Sequence, residues 1–326
     1  MTIAAAVAGL GRIGMEFELD PRRGDSVSHA GAWRNHPDAE LVAGVDPDPD
    51  KRAGFEKSFE APAFSSFQEM IDAVPVDILS ISTPPELHAE MTLKAIDAGI
   101  SRIVCEKPCT RSLMECLELT ERLGSQARRV GVNFTRRYDP DHQRVQALLR
   151  EQQLQSVIGH YTAGLMNTGS HWIDWLLAAG GEVRRVLAFP RVSGDDPTPD
   201  ALMELSAGGR AYLAALEVSD YSVFEADFFG SQSRVRMLRS GFELEVWERR
   251  PSENFSGYHD LWRDEQASTE HALGTMMLSV VNDAILSLRE DRPMCCTVQD
   301  ACRMHSVIDA IKKSLEKGSW MEVTDV

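Results

Sequence analysis

The sequence predicts an α/β domain with a parallel sheet, followed by an α+β domain with an open, mainly antiparallel sheet. Three observations carry this. A glycine-rich loop directly follows the first apolar strand, strands alternate with helices as far as residue 134, and period-two alternation takes over beyond about residue 140. A chain of 326 residues also exceeds what one hydrophobic core usually organises, so two domains are expected, 1–134 and 135–326.

In chain order, the first-domain strands are Ile3–Ala8, Leu41–Asp46, Val76–Ser82, Arg102–Cys105 and Val130–Phe134. Helices Pro85–Ala98 and Ser112–Leu123 lie between them, closed by Gly99 and Gly124, the usual residue type just past a helix. Apolar strands separated by helices imply a parallel sheet covered on both faces. A helix then starts with Asp139 as N-cap and Pro140 in its first turn, running to about Gln153. Val157–Thr162, Ala211–Val218, Phe224–Phe229, Arg234–Leu238 and Gly241–Glu248 read as strands. In the last of these, Phe242, Leu244 and Val246 share one face. Helices at about Glu270–Arg289 and Thr297–Lys317 end the chain, the second expected to pack back on the first domain. Asp195–Pro199 is a loop rich in Pro and Asp.

With 34 Lys+Arg against 50 Asp+Glu, the net charge is −16. That excess argues against nucleic acid or an anionic membrane as partner, and it leaves a small anionic ligand open. Met1 to Gly9 is apolar but lacks a basic leader and is broken by glycine, so neither a signal peptide nor a membrane span is expected, and the compartment is read as cytoplasmic. The six cysteines show no paired zinc spacing, no metal site is expected, and reduced, mostly buried thiols are the reading.

Gly9-Leu10-Gly11-Arg12-Ile13-Gly14 spells G-x-G-x-x-G after a six-residue strand. The pattern needs a tight turn at Gly9, close approach of backbone to a pyrophosphate at Gly11, and close helix packing at Gly14; backbone N–H groups attract the phosphates. This makes the first domain a dinucleotide-binding Rossmann domain. Asp46 ends the second strand where an acid bonds the adenosine ribose diol. With Asp48 and Asp50 nearby, NAD is favoured over NADP. Asp46 lies 32 residues after Gly14, against a usual gap of about 20. The surplus falls in Met15–Ser28, which is expected either to sit over the cofactor crevice and shape the substrate pocket or to be a solvated loop.

Arg102–Cys105 leads into Glu106-Lys107-Pro108 at the carboxyl end of a strand, the edge where ligands bind in open α/β sheets. An ammonium there can hold a hydroxyl or alkoxide beside a nicotinamide, and Pro108 keeps Lys107 extended. Taken with Thr83-Pro84-Pro85 and His88, Arg137-Tyr138-Asp139-Pro140, and His171 with Asp174, the order of motifs resembles the Gfo/Idh/MocA oxidoreductases. The resemblance implies an NAD(P) cofactor, a catalytic Lys107, a peptide bond before Pro108 that is often cis, Thr83 and Pro84 beside the nicotinamide ribose, and Glu106 on the cofactor. It offers His88 either to the cofactor region or to backbone, and Arg137 either to substrate or to a structural ion pair.

Asn167-Thr168-Gly169-Ser170-His171-Trp172-Ile173-Asp174 reads as a capped helix start, with His171 and Asp174 on one face and Trp172, Ile173, Leu176 and Leu177 on the other. Histidine titrates near neutral pH and can take the proton that an alcohol must lose. Asp174 can orient it, and Asn167 stands where the family usually has an acid, so it is assigned to substrate. The expected function is NAD-dependent dehydrogenation of a secondary alcohol, or the reverse, on a sugar, polyol or nucleotide-sugar. The alternatives are a non-catalytic NAD sensor or regulator, and an enzyme that uses bound NAD in a transient redox cycle. The resemblance implies a homodimer or homotetramer formed through the open sheet.

Overall fold

The computed structural model describes every residue except Met1, which opens the apolar run noted above, and Ser219. Its contacts cluster into two units, Met1–Tyr138 with Thr275–Cys302, and Asp139–Gly274 with Arg303–Val326. The sequence boundary fell at 134/135; here Thr275–Cys302, which it assigned to the second domain, cluster with the first unit.

The first unit runs β1 (Ile3–Ala8), α1 (His29–Asn35), β2 (Ala39–Val45), α2 (Pro49–Phe59), β3 (Ala63–Phe64), α3 (Phe67–Ala73), β4 (Ile78–Ile81), α4 (His88–Asp97), β5 (Arg102–Glu106), α5 (Leu113–Leu123) and β6 (Val130–Asn133). The sheet is wholly parallel in the order β3-β2-β1-β4-β5-β6, the doubly wound Rossmann arrangement. β1 is built from alanine between Ile3 and Val7, and Ala5, Ala6 and Ala8 are fully buried, which suits a central strand covered on both faces. Because the strands are parallel, Gly9, Asp46, Thr83, Glu106 and Asn133 all emerge at one edge.

In the second unit come α6 (Pro140–Arg150), β7 (Leu154–Tyr161), α7 (Ser170–Ala178), β8 (Val183–Val192), β9 (Thr198–Leu205), β10 (Arg210–Ala215), β11 (Phe224–Gly230), β12 (Ser233–Leu238), β13 (Glu243–Pro251) and β14 (His259–Thr269). α8 (Met276–Arg289) belongs to the first unit, where Ser287 accepts from the buried Arg102 guanidinium. α9 (Val298–Lys317) begins among first-unit residues and continues from Arg303 in the second, and β15 (Met321–Glu322) ends the chain. The nine-stranded sheet has the order β14-β13-β12-β11-β7-β10-β9-β8-β15, antiparallel except for the β10–β7 pair. Among the described residues, no helix is long and apolar enough to cross a membrane.

Several expectations need correction. β8, β9 and β14 were not anticipated: β8 and β9 contain Pro190 and Pro199, and β14 is charged on both faces, so their alternation is obscured. The penultimate helix starts at Met276, because β14 runs to Thr269 and a turn follows. Phe242 precedes β13 and is exposed, while Leu244 and Val246 are buried. The cysteines are not all thiols. Cys116 of α5 and Cys302 of α9 form a disulfide, with Cα atoms 5.6 Å apart, because the two helices bring them together across 186 residues of sequence. Cys105 and Cys109 remain buried thiols, and burial pushes both well above the ordinary thiol value.

Candidate active site

The loop after β1 is shaped by exclusion. Gly9 sits at φ +91°, and a Cβ there would lie 2.6 Å from the Ser82 carbonyl and Thr83 nitrogen; one on Gly14 would overlap the Gly9 carbonyl. A Cβ on Gly11 would meet only Lys51 Nζ, at 3.7 Å, so this glycine faces open space rather than protein. Gly9, Gly11, Phe17, Asp46, Ser82 and Pro84 are among the residues bordering a cleft of about 480 Å³. Leu10 N–H donates to Asp46 Oδ2 (2.9 Å), Asp48 N–H donates to Oδ1 (3.0 Å), and Lys51 Nζ lies 3.9 Å away. Arg12 is exposed beside Ile13 at the same rim.

The long gap to Asp46 now has a physical explanation. His29 and Ala30 N–H groups donate to the carbonyls of Ile13 and Gly14 (3.0 and 2.9 Å), so α1 continues the glycine loop as though residues 15–28 were looped out. The loop closes on Glu18, whose carboxylate accepts from Ser26, Val27 and Ser28 N–H and from Ser28 Oγ (2.8–3.3 Å). It lies against Gly31, where any Cβ would overlap it. Ser28 then caps α1 through Gly31 N–H.

His29, the first residue of α1, is buried, and its Nε2 is 2.9 Å from Glu106 Oε1. Asn133 Nδ2, at the end of β6, donates to the same oxygen (2.6 Å), and Lys107 N–H donates to Oε2 (3.3 Å). Burial alone raises the Glu106 carboxyl, but the hydrogen bond and charge of His29, the Asn133 amide and the Lys107 charge outweigh it and hold it below the ordinary value. Lys107 is half-buried, and the Lys107–Pro108 bond is cis. His88 spends both ring nitrogens on backbone, with Nδ1 2.8 Å from the Pro108 carbonyl and Nε2 2.7 Å from that of Thr83, and its side chain is buried. It braces the two loops that carry Thr83 and Lys107. Thr83 Oγ1 is buried without a hydrogen-bond partner, a polar atom available to a ligand. Arg137 donates to the Cys295 carbonyl (3.0 Å) and lies 3.6 Å from Asp300.

In the second unit, β7 is followed by Ala163 (φ +63°) and Gly164 (φ +94°), then a wide turn over Leu165–Gly169 closed by Gly169 N–H on the Gly164 carbonyl (3.1 Å). This π-type turn runs straight into α7, so the side-chain-capped start read at Asn167–Ser170 is not formed. The cap comes from Asp196, whose carboxylate accepts from Met166 and Asn167 N–H (2.9 Å each); Thr198 Oγ1 accepts from Gly164 N–H (3.0 Å). Asn167 is exposed. His171 is half-buried, edge-on to Phe224 at 6.4 Å, and Asp174 is buried one turn along. Trp175 Nε1 donates to His142 Nδ1 (2.8 Å), which anchors the back of α7 to α6. His29, Asn133, Phe17 and Asp196 were missed by sequence reasoning. Asn133 left a signal as a polar end to an apolar strand, and Asp196 and Phe17 lie in segments the sequence set apart without naming them.

Residues 3–134 match the oxidoreductase family with an NAD-binding Rossmann fold, GFO_IDH_MocA. That match covers the first domain, less than half of the chain. The chain is 31% identical over 150 residues to inositol 2-dehydrogenase 3 of Saccharopolyspora erythraea, a stretch covering 46% of this chain and 41% of that protein, so less than half of that relative is spanned. Full-length likeness of fold extends to levoglucosan dehydrogenase in complex with NADH (TM-score 0.81, 17% identity, all of both chains). It extends equally to the WlbA dehydrogenase of Bordetella pertussis in complex with NADH and UDP-GlcNAcA (TM-score 0.79, 17% identity, 100% of this chain and 99% of that one). The cleft fits an NAD dinucleotide. Gly11 opens onto it, the loop backbone lines it, and the unpartnered Thr83 Oγ1 lies at the end of the neighbouring strand.

Proposed function

We propose that the protein is an NAD-dependent dehydrogenase, acting in the cytoplasm on a secondary alcohol or ketone of a sugar, polyol or nucleotide-sugar. The observation that carries this reading is the single sheet edge from which the glycine loop, Asp46, Thr83, Glu106 and Lys107 all leave. NAD, when bound, supplies the hydride acceptor at its nicotinamide. Gly9 to Gly14 hold its diphosphate, Asp46 its adenosine ribose, and Thr83 and Pro84 its nicotinamide ribose. Lys107 binds the reacting oxygen and favours its alkoxide form, while Glu106, fixed by His29 and Asn133, sets the start of the Lys107 turn. Lys107 or His171 accepts the hydroxyl proton; Asp174 orients the imidazole, and Asn167 reads a neighbouring hydroxyl. Arg137, bonded to the Cys295 carbonyl beside Asp300, acts as a brace rather than a substrate ligand. The similarity to an inositol dehydrogenase, a levoglucosan dehydrogenase and a dehydrogenase in complex with UDP-GlcNAcA supports a hydroxyl-rich substrate class.

The test is a panel of polyols, sugars and nucleotide-sugars with NAD and NADP, read by absorbance of the reduced cofactor. Reduction of NAD with at least one of them, lost in Lys107→Ala, is the expected result. NAD binding without any turnover overturns it in favour of a sensor, and product formation without NADH in favour of an internal redox cycle.

We also propose a homo-oligomer through the open sheet. Ile158, Tyr212, Leu202 and Leu187 stand in register across four adjacent strands, and Ile158 and Tyr212 are exposed. Light scattering should give a multimer that Tyr212→Glu dissociates.

A further inference from the structure

Phe17, in the segment looped out after the glycine motif, borders the cofactor cleft, and two guanidinium groups lie over its ring: Arg23 at 3.8 Å and Arg12 at 5.2 Å from the centroid. The segment that carries Arg23 is built, not loose. Glu18 gathers the amides of Ser26, Val27 and Ser28 at one end. At the other, Arg23 N–H donates to the Asp20 carbonyl (3.0 Å), with Arg23 Nε 3.4 Å from the Asp20 carboxylate. Lys51 also borders the cleft, 3.9 Å from Asp46, whose carboxylate already accepts from Leu10 N–H.

Arg12 and Lys51 border the cleft and Arg23 stacks on Phe17 at its rim, while both Asp46 carboxylate oxygens already accept from backbone N–H groups. Two guanidinium groups drawn to one aromatic ring repel each other, and the ring face offsets only part of that. A doubly charged anion beside them removes the remainder. Stacking also fixes the plane of the Arg23 fork in advance, so less freedom is lost when it binds two oxygens.

We propose that this looped-out segment is the outer wall of the cofactor cleft and that Arg23, stacked on Phe17, binds the diphosphate of the dinucleotide. The inference rests on the NAD reading above and deepens it. The segment joins cofactor recognition rather than substrate recognition.

Fluorescence titration of the full chain with NADH and with NADPH, at low and high salt, tests this without any substrate. Arg23→Ala should weaken both dinucleotides by about tenfold at low salt, with the difference from wild type shrinking as salt rises. Phe17→Leu, which keeps bulk and removes the ring, should weaken both in the same direction and less. Wild-type affinity in both variants overturns the proposal. So does weakening confined to NADPH, which would assign Arg23 to a 2′-phosphate. If wild type itself takes up neither dinucleotide, the NAD reading fails and this inference falls with it.

Discussion

The chain turns sharply at the end of β1 and again at the end of β7, and the two turns are held in opposite ways. After β1, Gly9 and Gly14 work by what they lack, since a Cβ on either would strike backbone of the loop or its neighbour. After β7, the turn is held by what is added from afar. Asp196 takes two amide protons and Thr198 a third, from residues 29 to 34 positions down the chain. A missing side chain leaves a pattern within six residues of sequence. A carboxylate arriving from a distant loop leaves none.

Substitutions can sharpen or break this contrast. The largest effect is expected from Lys107→Ala: turnover falls by roughly 10²–10⁴, with NADH affinity near wild type, measured by steady-state kinetics beside fluorescence titration. Gly14→Ala should do the reverse, lowering NADH affinity on the order of 100-fold because the loop must shift to admit the Cβ. Asp196→Ala removes the acceptor for two amides. It should lower stability by about 3 kcal/mol in urea unfolding and raise KM for the substrate while leaving NADH affinity alone. If Asp196→Ala impaired NADH binding as much as Gly14→Ala, the two turns would not be separable and the contrast would break.

A smaller effect is expected at His29. His29→Leu leaves the Glu106 carboxylate one donor short and should cost about 2 kcal/mol, whereas His29→Gln keeps an N–H and should cost less. The pH dependence has a sign. The folded Glu106 carboxyl is lowered, so its contribution to stability is present above the unfolded value and fades as pH falls through the folded one. Urea midpoints of wild type and His29→Leu should therefore converge in acid.

Much of the fold was legible because its signals are local. The apolar run of β1, the glycine after α4 and the Ser112 cap of α5 each sit next to the element they define. β14, whose residues are mostly exposed and whose charges Asp260, Arg263, Asp264 and Glu265 fall on both faces, offered no alternation to read. In the candidate site, Lys107 was legible from its own tripeptide. His29 was not, because its role comes from Glu106, 77 residues away, and from a loop that returns the chain to the point it left. The disulfide partners lie 186 residues apart and could not be paired by spacing.

That returning loop has an engineering consequence. Its two ends meet where α1 resumes the hydrogen bonding of Ile13 and Gly14, and its interior is closed on its own carboxylate at Glu18. The host domain contributes a glycine at position 31, where the carboxylate lies against the helix, with Arg34 beside Glu18 (3.6 Å) and Asn35 donating to Ser26 Oγ (2.9 Å). The segment is thus portable: a related dinucleotide-binding domain with a glycine at this position in the first turn of this helix could accept it by transplantation, and with it Arg23 stacked on Phe17.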